Sequence, residues 1–332
     1  MFVWLCLENF LLPRELFAFR PWDVLVVNFL PTAQLGPFMN GVSMDMVSTG
    51  YQDYMLRRAH PHKKRERFSV DRHGFRNPDR PAPRQGYEVV LHGDSNFAGS
   101  FLDGPDTLGR VLERQLGRPV YTVSNDVVWM EDDVMTTHPP RYFVAQFYPD
   151  LDPRATRTWR FTFDRFETRP ARSIPLPVLV AWERFCKQPA RNWIRARLGL
   201  TGLPNQSSAF VGLGVEARRQ AGETEEEALA KLGEQAEQLH VKMKKNGTTC
   251  IFLFMPAPPE RYQKYMPLLA RLRKNGYAVV DYPPTAEHPL GYPEDFWQTA
   301  DSHWTEKAVL ATSVKIKERI QQLEQTRTTT SP

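Results

Sequence analysis

Two short stretches of the sequence carry residue types that could run acyl chemistry together. The first is Gly93-Asp94-Ser95, at the end of the apolar run YEVVLHGDS (87–95). A serine on a sharp turn after a strand exposes its Oγ, and backbone N–H groups at the start of the next element can face an oxyanion. The second is Asp301-Ser302-His303-Trp304, just ahead of the last helical pattern. A histidine there can take the Ser95 proton, and Asp301, two residues earlier, can hold the other ring nitrogen and stabilise the imidazolium. Each stretch alone is weak evidence. A Gly-Asp-Ser turn is usually only a turn, and a histidine before a helix is more often a cap. Together, each following a core element, they make Ser95, His303 and Asp301 a candidate catalytic triad.

The same residues admit a second chemistry. His92 and Asp94 could join Asp301 and His303 as a metal cluster of the phosphoesterase kind. The simpler reading is that Asp94 fixes the turn while His92 packs at the strand end. Three scattered cysteines and no C-x-x-C exclude a disulfide framework and make a structural zinc site unlikely on spacing grounds. Cys250 sits in an apolar run and reads as a core thiol. Catalysis by the triad needs neither metal nor cofactor, so none is expected.

The elements that must position these residues can be read from hydrophobic periodicity. Short apolar runs at 87–95, 118–125, 141–149, 248–256 and 277–284 predict strands. Helical spacing at 106–117, 224–247, 259–276 and 305–325 predicts helices between and after them. Strands alternating with helices imply an α/β fold with a mostly parallel sheet covered on both faces. In such a sheet, ligands bind at the C-terminal ends of the strands, where both motifs fall. The first 85 residues look irregular, with a basic surface run at 57–68 and a turn-rich loop at 71–86. We read 1–85 as an extension packed on the core and 86–325 as the catalytic domain. Residues 150–220 form an inserted Arg/Trp-rich cap, and 326–332 a disordered tail.

Composition narrows the class. Over 332 residues, 41% are hydrophobic and 24% charged, which excludes wholesale disorder. The net charge of +5 is uneven. Residues 151–200 hold ten arginines and Lys187 against Asp152, Asp164, Glu167 and Glu183, a net +7 that leaves −2 for the rest. A basic stripe of this kind suits an anionic glycan, lipid headgroups or nucleic acid. No nucleic-acid module accompanies it, so nucleic acid is the weakest of the three. No run of 18 apolar residues exists, so no spanning helix is visible, and the apolar start lacks a basic n-region and a cleavage site.

Taken together, VVLHGDSNFAGS (89–100), FWQTADSHWTEKA (296–308) and DRHGFRN (71–77) resemble the SGNH (GDSL-type) hydrolase superfamily. More narrowly they resemble its alginate O-acetyltransferase-like branch, and 255–284 fits that family's strand–helix–strand. The resemblance implies a three-layer α/β/α fold with Ser95 as nucleophile, His303 as base and Asp301 as the residue orienting it. It also implies oxyanion donors, the Ser95 N–H and, in the second block, Asn125. The chain departs from the family twice. The third block ends Gln146-Phe147-Tyr148-Pro149-Asp150, without the family's Asn donor. The Asp-x-His element follows Gly-Asp-Ser, as in ordinary SGNH hydrolases, whereas in the alginate enzymes it precedes.

The expected function is therefore a serine O-acyltransferase or esterase moving an acetyl or similar group on a carbohydrate hydroxyl. The acceptor would be a polysaccharide, anionic if the basic stretch faces the cleft, and the acyl donor is left open. A peripheral membrane or membrane-protein partner fits the family, as does a periplasmic or membrane-associated location. A non-catalytic glycan-binding or scaffold protein that keeps the fold is the alternative.

Overall fold

The computed structural model describes residues 38, 41–50, 62–124, 138–147, 225–257, 259–289, 291–292, 295–298 and 303–330. Expectations for 1–37, 150–220, Asn125 and Asp301 lie outside the described residues.

Among the described residues five strands form a parallel sheet in the order β4-β3-β5-β6-β7. They are β3 (Val89–Gly93), β4 (Val120–Ser124), β5 (Tyr142–Phe147), β6 (Thr249–Phe254) and β7 (Ala278–Val280). Nearly every residue in them is buried, which is why they read as apolar runs rather than as alternating patterns. Among the described residues four α-helices cover the two faces. They are α1 (Leu108–Leu116), α2 (Glu225–Lys245), α3 (Pro259–Lys274) and α4 (Glu306–Thr330).

The pleat sends alternate residues to opposite sides. Val89, Leu91, Val120, Tyr142 and Val144 meet Leu108, Val111 and Leu112 of α1 and Val309, Ile316 and Ile320 of α4. Val90, Tyr121, Phe143 and Ala145 meet Leu232, Leu239 and Met243 of α2 and Tyr265, Leu268 and Leu272 of α3. The result is the three-layer α/β/α arrangement. Cys250 lies in the second core, where burial pushes its thiol up. Among the described residues no helix is long and apolar enough to cross a membrane.

The chain leaves β3 for β4 on one side and later enters β5 on the other. β3 therefore ends at the point where the winding direction reverses, the place where open α/β sheets bind ligands. Ser95 lies two residues past that end.

Two expectations need correction. The run read as a basic surface segment at 57–68 is in part a strand. β2 (Lys63–Ser69) pairs antiparallel with β1 (Ser43–Thr49), from Ser43 opposite Ser69 to Thr49 opposite Lys63. Glu66 and Phe68 are its buried positions, at period two. Five charged residues in a row, Lys63 to Arg67, hid that alternation. The final helix also continues to Thr330 rather than fraying from 326. Its last turns are tied to the sheet by Glu324, which pairs with Arg118 and Arg141, and by Arg327 Nη2, which donates to Thr249 Oγ1 at 2.6 Å.

Candidate active site

The turn after β3 begins at Gly93, where a side chain has no room. A Cβ there would collide with Gln146 Oε1 and the Phe97 ring. Gln146 is level with Gly93 on the neighbouring strand and is fully buried. Its Oε1 accepts the Asp94 N–H at 2.8 Å. Asp94 in turn caps the turn: its Oδ1 accepts the Asn96 N–H at 2.8 Å, and its Oδ2 accepts Asn96 Nδ2 at 3.2 Å. Burial pushes the Asp94 carboxyl above its ordinary value, against the pull of the Asn96 N–H and of the nearby His303. Ser95 stands between these two anchored neighbours.

The turn runs on through a tightly held loop. Gly99 and Phe101 take positive φ values of 74° and 57°, and Phe101 does so as a non-glycine. Arg76 holds the loop in this shape. Its Nη1 donates to the carbonyls of Ala98 and Gly99, and its Nη2 donates to that of Leu102 at 2.5 Å. The guanidinium is almost fully buried, pairs with Glu66 of β2 at 3.0 Å and lies 4.2 Å above the Phe68 ring. A buried arginine needs such company, because an unpaired charge there would be costly. Beside it, Asn77 donates to the Thr122 carbonyl and accepts the Thr122 N–H, sealing the outer edge of β4.

The second element comes from the loop before α4. Trp304 is fully buried against Phe97 and Phe296. That anchors the loop next to the Gly-Asp-Ser turn. His303, one residue earlier, reaches Ser95: its Nε2 lies 2.8 Å from Ser95 Oγ. Gln298 clasps the loop from the other side. Its N–H donates to the His303 carbonyl at 2.7 Å, and its Nε2 donates to the Trp304 carbonyl at 2.5 Å.

Ser95 and His303, singled out in sequence, are thus brought together, while Asp301 and Asn125 fall outside the described residues. Among the described residues no backbone carbonyl accepts the Ser95 N–H. His92 lies elsewhere. It is buried on the α2–α3 side and stacks on Phe143 at 5.9 Å between ring centroids. Among the described residues no group of three His, Cys, Asp or Glu gathers as a metal site.

Sequence reading missed Arg76, Asn96, Gln146 and Gln298 as parts of the site. Arg76 was visible inside DRHGFRN, and Gln146 as a polar residue in an otherwise apolar strand. Nothing local marks Asn96 or Gln298, each of which has one partner across the fold, Trp304 and Ser100.

No protein-family model matches the chain, and no curated protein does. Among solved structures, the chain is similar to a protein assigned to the G-D-S-L lipolytic family from Desulfitobacterium hafniense. The two are 9% identical, with a TM-score of 0.38 over 70% of this chain and 98% of the other. It is also similar to a protein assigned as an acylhydrolase from Bacteroides fragilis, 10% identical with a TM-score of 0.38 over 74% of this chain and 92% of the other.

Proposed function

We propose that the chain is an SGNH-type serine acyl-ester enzyme. The observation that carries this reading is the 2.8 Å contact between His303 Nε2 and Ser95 Oγ at the point where the sheet reverses its winding. Ser95 Oγ attacks the acyl carbonyl while His303 takes its proton. The developing oxyanion is met by the Ser95 N–H. As the carbonyl re-forms, the ester C–O bond breaks and His303 returns the proton to the leaving alkoxide. The acyl group is then on Ser95. His303 next removes a proton from water or from a sugar hydroxyl, which attacks the acyl-enzyme; the bond from the acyl carbon to Ser95 Oγ then breaks, and His303 returns the proton to Ser95. Asp301 is assigned the task of holding the far ring nitrogen.

The finer reading is acetyl or similar acyl transfer on a carbohydrate. It rests on the resemblance of the two site motifs to the alginate O-acetyltransferase-like branch. The aromatic and arginine content of 150–220, which suits an anionic sugar, also supports it. Transfer and hydrolysis differ only in which hydroxyl reaches the acyl-enzyme. The test is to incubate the protein with p-nitrophenyl acetate, with and without acidic and neutral oligosaccharides, and to measure acetylated sugar by mass spectrometry. The reading expects p-nitrophenol release that is lost in Ser95→Ala, with acetyl found on the acidic sugar. Release without any acetylated sugar leaves an esterase and removes the transferase.

A further inference from the structure

We infer that Asn96 is a positioning residue that sets the distance between nucleophile and base. The inference rests on the serine-acyl reading above and deepens it. Ser95 and His303 come from opposite ends of the described fold, 208 residues apart in sequence. Their 2.8 Å separation must therefore be held by something that joins the two loops. The side chain of Asn96 does so. Its Oδ1 accepts the Trp304 N–H at 3.2 Å, and its Nδ2 donates to Asp94 Oδ2 at 3.2 Å. One side chain is thus fastened to the residue before the nucleophile and to the residue after the base.

The link does not float. Asn96 is 3% exposed. At one end, Asp94 is held to β5 through its N–H and Gln146 Oε1. At the other, Trp304 is locked in the core between Phe97 and Phe296. The path from the sheet to the base is therefore Gln146, Asp94, Asn96, Trp304, with Ser95 between its second and third members and His303 beside its last. Gln298 makes a second, weaker tie. Its Nε2 reaches the Ser100 carbonyl at 3.4 Å while also holding the Trp304 carbonyl. An amide is suited to the Asn96 position because it must accept from a backbone N–H and donate to a carboxylate at once. Aspartate offers no donor when ionised, and serine is too short to span both partners.

A displacement of about 1 Å between reacting groups lowers rates by about 10²-fold, so loss of this tie is read in the chemical step rather than in binding. The experiment uses the full chain and a serine-directed fluorophosphonate probe, with p-nitrophenyl acetate turnover in parallel. In Asn96→Ala, the labelling rate constant and kcat should fall about 10- to 100-fold, while KM stays within about threefold. The final labelling stoichiometry should equal that of the wild type, because every molecule remains folded and only the geometry has loosened. Gln298→Ala should lower the same rate by about 3- to 10-fold. The double variant should fall short of the product of the two, since both ties act on one distance.

An Asn96→Ala rate within twofold of the wild type, with Ser95 labelled in both, overturns the positioning role and leaves the serine reading standing. A wild type that takes no probe at Ser95 overturns both. Should Asn96→Ala lose stoichiometry through misfolding, Gln298→Ala decides: an unchanged rate there overturns the tie, and a lowered rate at full stoichiometry supports it.

Discussion

The two edges of the parallel sheet treat their polar groups in opposite ways. At the N-terminal edge, charged residues flank the starts of three strands and are used up on one another. Arg118 and Arg141 both pair with Glu324 of α4, at 2.6 Å and 3.2 Å, and both reach Glu88 at 3.5 Å. The Tyr142 hydroxyl joins them by donating to Glu324 at 3.4 Å. The hydrogen bond from Arg118 holds the Glu324 carboxyl below its ordinary value. At the C-terminal edge, the Ser124 hydroxyl and Gln146 Nε2 are buried beside Gly93 with no hydrogen-bond partner among the described residues. One edge holds the sheet together. The other is where Ser95 meets His303.

Substitutions at the two edges should therefore fail in different ways. The largest effect expected on activity is Ser95→Ala, which should lower kcat/KM by at least about 10³-fold while moving Tm by less than about 2 °C. A parallel fall in Tm would mean that the C-terminal edge is as structural as the other. The largest effect on stability belongs to Arg76→Met. It strands the Glu66 carboxylate and frees three loop carbonyls, at a cost of about 3–5 kcal/mol, measured by denaturant midpoint. Adding Glu66→Leu should recover part of that loss, because an apolar pair replaces a broken ionic one.

A smaller effect, with a pH signature, is expected at Asp103, which closes the loop that follows the nucleophile. It accepts from the backbone and side chain of Arg67 and from the Gly104 N–H. The Arg67 hydrogen bonds bring its carboxyl down to about 2. The folded value lies below the unfolded one, so the stabilisation is complete above about pH 4 and is lost as the pH falls through 2. Asp103→Asn should cost about 1–2 kcal/mol at pH 7, and the gap to the wild type should close between pH 4 and pH 2. A constant gap would show that the carboxylate charge plays no part. The smallest effect is expected at the opposite edge. Glu324→Gln should cost about 1 kcal/mol or less, because its partners are partly exposed, and should leave turnover unchanged.

Much of this was legible in the sequence, for identifiable reasons. The five core strands are buried on both faces, so unbroken apolar runs announced them. α1 and α2 end at the Gly117 and Gly247 signals, both with positive φ. Ser95 and His303 could be picked out because each sits in a short motif at the end of a core element. β2 was obscured because Lys63, Lys64, Arg65 and Glu66 look like solvent-facing charge, although Glu66 turns inward to meet Arg76. That inward turn depends on a partner ten residues away and on carbonyls beyond it, which no local pattern encodes. Asn96 and Gln298 were unreadable for the same reason: Asn96 bonds to Trp304 and Gln298 to Ser100, each across the fold.

The most direct measurement is the rate and site of fluorophosphonate labelling in the wild type and in His303→Ala. If the contact between His303 Nε2 and Ser95 Oγ activates the serine, the wild type is modified at Ser95. Labelling in His303→Ala should be slower by about 10²- to 10⁴-fold, the range for losing a positioned base. Equal rates in the two proteins, or modification at a residue other than Ser95, would contradict the account.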